Sequence, residues 1–545
     1  MRALLIGFFL IIFATGSAFG QTAASALPHL TRSGNTQQLI VDGKPFIVLG
    51  GELGNSSFTS VEYMAPIWPR LKKLNLNTVL APVYWELIEP VEGQFDFALL
   101  DQLIGEARKN NLRLVLLWFG AWKNSMSSHA PGWVKTDQSR FPRVQDDLGK
   151  SQEILTPFSE NNLQADLKAF QALMAHVKKT DQKHHTVIMI QPENEIGMLP
   201  VARDHSPLAN ARFNAPVPRE LLDYLTHNRD KMVPEFQQVW AANGFRNNGT
   251  WEDIFGKGYH SDEIFMAWFY ARYTEQIVAG GKAVYPLPMF VNAALNRPDR
   301  EPGKGYPSAG PLPHIMDVWL AGAPSIDFLA PDFYFPNIKY WCDLFTRRDN
   351  SLFIPEHRFD NTVAAKAAFT IGHYQSIGFS PFFIESGEDE PHAIALGKMY
   401  DVLAQILPVL TAHHGQGKVE GVLLEKDKPF TDLYMGDYEL NVKHSHTLGW
   451  EAGAGNADWI PGGAVIIQTG KNTFLMAGSG VVLTFKNRAN PEKITGILKT
   501  EEGHFVDGAW QVIRHLNGDQ THQGRHVRIF LDDISIVRFS LYEYE

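Results

Sequence analysis

From residue 40 to about 410, short runs of β-branched and apolar residues alternate with longer segments in which apolar residues recur every three or four positions. The short runs predict strands and the longer segments amphipathic helices, so the chain reads as successive βα units on a parallel sheet. Eight strands are predicted: Phe46–Leu53, Thr78–Glu86, Arg113–Phe119, Thr186–Glu195, Leu287–Ala294, Phe328–Tyr334, Leu352–His357 and Pro381–Ser386. Between them, Leu163, Leu167, Phe170, Met174 and Val177 form one apolar stripe, Leu99, Leu103 and Ala107 a second, and Ile394, Met399, Leu403 and Leu407 a third. Eight such units close an α/β fold of the (β/α)8 TIM-barrel type.

After about Gly415 the helical period is lost. Alternating runs such as Ala464–Ile467, Gly480–Phe485 and His526–Leu531, broken by Gly462-Gly463 and Asn517-Gly518, predict a C-terminal β-sandwich-like domain. The expected boundaries are 21–412 for the barrel and 413–545 for the β-rich domain. The segment Met198–Pro286 is longer than one helix needs, and is expected to decorate the rim or form part of a substrate cleft.

Composition adds a few constraints. A chain of 545 residues exceeds one ordinary core, in keeping with two domains. The net charge of −10 and the lack of a Lys/Arg stripe argue against a nucleic-acid partner. Met1-Arg2, the apolar stretch Ala3–Ala14 and the small residues around Ser17-Ala18-Phe19-Gly20 read as a secretory signal over residues 1–20, cleaved before Gln21. The apolar stretch is short for a membrane span. The expectation is a periplasmic or secreted protein with no membrane association beyond export. Cys342 is the only cysteine, so no intrachain disulfide can form. The oligomeric state is not encoded in any of these features.

Candidate chemistry lies at the C-terminal ends of barrel strands. The fourth run, Val187–Gln191, leads into Pro192-Glu193-Asn194-Glu195, and the seventh ends in Glu356-His357. Strands four and seven face one another across the mouth of an eight-stranded barrel. Glycoside hydrolysis needs two carboxyl groups flanking the scissile bond, about 5–5.5 Å apart for retention and farther for inversion. Glu195 is accordingly the candidate proton donor and Glu356 the candidate nucleophile, with Tyr334 placed to donate a hydrogen bond to it. Glu385 at the eighth strand is the competing nucleophile, and Glu193 the competing acid. The other exits are rich in aromatic rings, including Trp85, Trp118, Trp122 and Trp133, and such rings stack on the C–H faces of sugars. An oligosaccharide is therefore the expected partner. The same rim without paired acids would make a non-catalytic carbohydrate-binding protein, and Glu356-His357 with another histidine would make a metallohydrolase. His-Glu-x-x-His spacing is absent, and the expectation is no metal and no cofactor.

At these residues the chain resembles the glycoside hydrolase clan whose catalytic glutamates end strands four and seven, and within it the β-galactosidases of families 35 and 42. Asn194-Glu195 is similar to the clan's Asn–acid/base pair. Trp85, Glu89-Pro90, Gly93 and Phe95-Asp96-Phe97 are similar to a pattern of both families. The interval from Glu195 to Glu356 is more like family 42. Glu86 and Ile88 stand where family 35 commonly has Asn and His, and the His-Tyr-Phe-Arg that follows strand one there is absent. As a whole, tail included, the chain looks most like a bacterial branch of family 35. The resemblance implies a retaining β-galactosidase that trims plant cell-wall oligosaccharides such as xyloglucan. By the same resemblance Asn194 would hold the sugar 2-hydroxyl and Tyr334 brace the nucleophile, while Glu52, Asn55, Tyr84, Glu86, Trp118, Trp122 and Asn292 would contact hydroxyls or the ring.

Overall fold

The computed structural model describes residues 26–34, 36–387 and 389–545. The expected signal segment, residues 1–20, lies outside the described residues. Eight parallel strands form the barrel: β1 Val48–Glu52, β2 Thr78–Tyr84, β3 Arg113–Lys123, β4 Val187–Asn194, β5 Phe290–Ala294, β6 Phe328–Phe333, β7 Ile354–His357 and β8 Gly378–Pro381. Their order is β5-β6-β7-β8-β1-β2-β3-β4. A parallel bridge between Ile190 and Met289 joins β4 to β5 and closes the ring. The (β/α)8 barrel is thus the observed fold. β4 is buried at every position, as a central parallel strand covered on both faces requires.

The predicted helical stripes are helices. α1 spans Ala98–Lys109, and α2, Glu160–Asp181, begins at Ser159, whose side chain accepts from the Asn162 N–H at 3.3 Å. A cap of this kind is worth about 1 kcal/mol. Phe170, Leu173, Met174 and Val177 then turn one face of α2 into the core. The segment after β4 holds four short helices, Pro207–Phe213, Arg219–His227, Pro234–Ala242 and Trp251–Phe255, followed by α3, Tyr259–Val284, which returns the chain to β5. α4 is Val363–His373 and α5 is Pro391–Ala412. By length and composition α5 is apolar enough to cross a membrane, yet Leu396, Met399, Tyr400, Leu403 and Ile406 are buried in the protein core.

The eighth strand stops short of expectation. The eighth was predicted at Pro381–Ser386, but β8 ends at Pro381 and Phe383, Ile384 and Glu385 form a turn. Phe383 has φ +55°, a left-handed conformation that stops a strand. An apolar run alone does not reveal that stop.

The tail is a sandwich. A six-stranded antiparallel sheet contains β9 Val419–Leu424, β12 Gly462–Gly470, β13 Thr473–Ser479, β15 Ile494–Val506, β16 Ala509–His515 and β18 Ser535–Tyr544. A four-stranded sheet contains β10 Phe430–Met435, β11 Tyr438–His444, β14 Val481–Asn487 and β17 Val527–Ile529. Along β12, Ala464 and Ile466 face the sandwich interior while Val465 and Ile467 join the barrel core. Strand alternation thus lets one sheet serve two interfaces. Gly421 makes the second possible: a Cβ there would lie 2.5 Å from Phe369 O and from His373 N, so β9 lies directly on α4.

Candidate active site

The mouth of the barrel gathers five carboxyl groups and one ammonium. Glu52 ends β1, Glu195 follows β4, Asp332 lies on β6, Glu356 on β7, and Glu385 in the turn after β8; Lys123 ends β3. All are buried. One oxygen from each of Glu195, Asp332 and Glu356 lies within 4.8 Å of the others. The barrel therefore brings together the two glutamates expected to act as a pair.

Each is held by its neighbours. Glu195 N–H donates to Asn292 Oδ1 at 2.9 Å, and Asn292 Nδ2 donates to Asp332 Oδ2 at 2.5 Å. The Asn124 amide donates to Glu195 Oε2. Tyr334 OH donates to Glu356 Oε1. Lys123 Nζ donates to Asn194 Oδ1 at 2.9 Å. Lys123, Asn124 and Asp332 were not singled out from the sequence. The signal for the first two is the length of β3, which was predicted to stop at Phe119 but runs to Lys123 through an irregularity that pairs Lys123 with Asn194.

Burial and like charge act on this cluster together. Desolvation and the neighbouring Glu195 charge push the Glu356 carboxyl up to about 7, while Lys123 and the Tyr334 hydrogen bond pull it down. Glu52 and Asp332 are held well above the usual carboxylate range, first by burial and then by the charge of Glu356. Burial likewise raises the Tyr334 hydroxyl, which stays a proton donor. Concentrated perturbation of this kind is common at functional sites and in buried structural pairs alike.

Among the described residues, several buried polar atoms in this region have no hydrogen-bond partner: Glu52 Oε1, Asn194 Nδ2, Asp332 Oδ1, Glu356 Oε2 and Glu385 Oε2; the Tyr84 hydroxyl lies against the Phe58 backbone. Asn55 Oδ1 joins them at the loop after β1. Buried polar groups are normally bonded, so unpaired acceptors and donors at one barrel end suit a ligand rich in hydroxyls.

Other expected residues fall elsewhere. Trp118 and Trp122 are turned away from the mouth into the helix layer, fully buried; Trp118 Nε1 donates to Asp166 Oδ1 at 2.9 Å and Trp122 Nε1 to Leu155 O at 3.1 Å. They cannot contact a sugar ring there, and the expectation is corrected on that ground. Trp85 is likewise buried, bonding Glu89 Oε2 at 2.9 Å, and Glu89 Oε1 accepts from Gly93 N–H at 2.7 Å. Gly93 has φ +77°, so the Trp-Glu-Pro-Gly pattern builds a turn. Glu86 stands at the rim, bonded to His129 Nδ1 at 2.9 Å. Of the competing residues, Glu385 accepts from Gly54 N–H at 2.9 Å and from Ser57 OH, which anchors the loop after β1. Glu193 points into the helix layer and accepts from Trp122 N–H at 2.7 Å. His357 stacks on Phe333 and bonds Arg358 O; burial drives its pKa down to about 3, so the ring is neutral.

By fold the chain is a (β/α)8 barrel carrying a C-terminal β-sandwich, with a carboxylate-rich mouth. The family described as Beta-galactosidase matches residues 61–261, and that described as Domain of unknown function (DUF5597) matches residues 396–528. The first range includes Glu195, and Glu356 lies between the two. A Beta-galactosidase of Xanthomonas manihotis is 29% identical over 209 residues, which cover 36% of this chain and 31% of that protein. The chain thus matches about a third of the length of that curated relative. Two similar solved structures are the beta-galactosidases of Marinomonas ef1 and Rahnella sp. R3. The former has 11% identity, a TM-score of 0.45 and coverage of 66% of this chain and 60% of that chain; for the latter the values are 14%, 0.45, 67% and 57%.

Proposed function

We propose that the protein is a retaining, exo-acting β-galactosidase with Glu195 as acid/base and Glu356 as nucleophile. The observation that carries this reading is the approach of their carboxylate oxygens to within 4.8 Å, from strands on opposite sides of one barrel mouth. So close an approach supports the shorter, retaining arrangement over the wider inverting one. The match of residues 61–261 to the Beta-galactosidase family supports the sugar.

In the first step Glu356 attacks the anomeric carbon while Glu195 gives its proton to the departing glycosidic oxygen, leaving a galactosyl ester on Glu356. In the second, water attacks the same carbon, Glu195 takes the water proton, and the ester bond breaks to free Glu356. Tyr334 and Lys123 favour the anion that Glu356 must carry. Asn194 Nδ2 supplies a donor for the sugar 2-hydroxyl, and Glu52, Asn55 and Tyr84 supply contacts for the remaining hydroxyls. The substrate is a terminal β-D-galactosyl residue on plant cell-wall oligosaccharides such as xyloglucan, a choice that rests on resemblance to the bacterial family 35 branch, and the site of action is periplasmic or extracellular.

Labelling with a 2-deoxy-2-fluoro β-galactoside tests mechanism, sugar and nucleophile together, because the slowed second step traps the ester. The expected product is a modified peptide bearing Glu356; label on Glu385 moves the nucleophile, and no label rejects the retaining mechanism. The Glu195, Asp332 and Glu356 oxygens are also close enough to hold a divalent cation. Loss of turnover in excess chelator, restored by a divalent ion, would favour that rival.

A further inference from the structure

Beside Tyr334, the barrel rim and the C-terminal domain together enclose a cleft of about 570 Å³. Its barrel wall includes Tyr334, Arg358, Asp360 and Lys366, and its far wall is the turn between β9 and β10, with Glu425 and Lys428. Tyr334 connects it to the catalytic pair, since its hydroxyl bonds Glu356 and its carbonyl accepts from Arg358 Nη2 at 3.1 Å.

Two features show a built site. Lys366 is only 7% exposed, and its ammonium lies over the Phe333 ring, 5.5 Å from the centroid. Among the described residues the ammonium has no hydrogen bond or close ion pair, and burial lowers its pKa while the charges of Asp360 and Glu425 raise it. A largely buried ammonium offset only by the more distant charges of Asp360 and Glu425 would gain from an oxygen in the cleft. The second feature is the fixed position of the turn. Gly421 seats β9 against the backbone of α4, the helix that carries Lys366. Lys426 Nζ then donates to Asn456 O at 2.5 Å and Ala457 O at 2.8 Å, bracing the turn from behind.

We infer that this cleft is the subsite for the leaving-group sugar, completed by the C-terminal domain and taking a neutral, hydroxyl-rich saccharide. The inference rests on the glycosidase reading above. The lining holds three cations, Arg358, Lys366 and Lys428, and three carboxylates, Asp360, Glu425 and Asp427. Charges of both signs cancel at a distance but offer donors and acceptors at close range, which suits hydroxyl groups better than an acid.

The test compares a neutral galactosyl-terminated oligosaccharide with 4-nitrophenyl β-galactoside in the full chain, reading the ratio of the two kcat/KM values. Lys366→Met, and separately the surface pair Asp427→Ala with Lys428→Ala, are each expected to lower that ratio about tenfold, the scale of one lost hydrogen bond to a charged group. An unchanged ratio in the surface double variant overturns the inference whether or not the Lys366 variant folds. A wild type that prefers a uronic-acid leaving group over a neutral one of equal length overturns it as well. Failure of the wild type to cleave the nitrophenyl galactoside or to accept the fluoro label sinks the glycosidase reading itself, and the subsite falls with it.

Discussion

Strand β4 delivers two glutamates, two residues apart, into two buried carboxyl pairs that meet burial in different ways. Glu193 pairs with Asp166 of α2 in the helix layer, where Trp122 N–H donates to Glu193 at 2.7 Å, and Trp118 Nε1 and Tyr273 OH donate to Asp166 at 2.9 and 3.0 Å. Desolvation raises both carboxyls, and a proton held between them serves the remaining oxygen. Glu195 pairs with Glu356 across the open mouth, where Glu356 Oε2 has no partner among the described residues. Burial is common to both pairs and a raised carboxyl occurs in each, at Glu193 and Asp166 in the first and at Glu356 in the second, so neither property identifies the reactive pair. The distinction is in the surroundings: the first pair is ringed by protein donors and ties a strand to a helix, with only Asp166 left for Glu193 Oε1 to bond, whereas the second stands at the open mouth where a ligand can reach it.

The comparison predicts opposite consequences of mutation. The largest effect is expected at the mouth: Glu356→Gln lowers kcat by about 10⁴-fold or more, and Glu195→Gln by about 10²–10⁴, with thermal midpoints near wild type. Azide should restore turnover of the Glu195 variant on an activated aryl galactoside and yield the β-galactosyl azide. Turnover that persists in either variant would falsify the assignment of that residue. In the helix layer the balance reverses. Asp166→Ala leaves the Trp118 and Tyr273 donors unpaired and should cost about 2–5 kcal/mol of stability, read as a lower denaturant midpoint, with kcat largely retained where the protein is folded. A large loss of kcat at unchanged stability would place Asp166 in the chemistry and break the contrast.

The smallest effect is on pH. Glu356 must be ionised to attack, and its carboxyl sits near 7, so kcat/KM should rise with pH towards that value. Lys123 lowers the Glu356 pKa, so Lys123→Met should move the rising limb to higher pH. A limb that stays in place would show that the Lys123 charge does not reach the nucleophile. Stability has its own dependence. Because the folded Glu193 carboxyl lies well above its ordinary value of 4.5, the native state keeps a proton that the unfolded chain releases, and this contribution is full below about pH 4.5 and lost as pH rises through the folded pKa. Glu193→Gln should flatten that decline.

How far the site was legible varies by residue. The ends of β4 and β7 could be read because uninterrupted apolar runs stop at Asn194-Glu195 and at Glu356-His357. Trp118 and Trp122 could not, since all of β3 after Arg113 is buried and a strand covered on both faces has no alternation to say which side is inward. Glu193 and Glu195 would share a face in a regular strand. Positive φ angles of 63° and 45° at these two residues break that rule, a conformation costing about 1–3 kcal/mol each and frequent at active sites.

The amino-acid pattern alone determined the eight βα units, the sandwich that follows them and the glutamates at strands four and seven, because periodicity and run length encode which elements form and where they end. The three-dimensional fold decided which face each buried side chain takes, which carboxyl finds its donors within the protein, and how the turn after β9 comes to overhang the barrel rim. Those outcomes depend on local backbone departures and on contacts between residues far apart in the chain, and a periodic sequence signal carries neither.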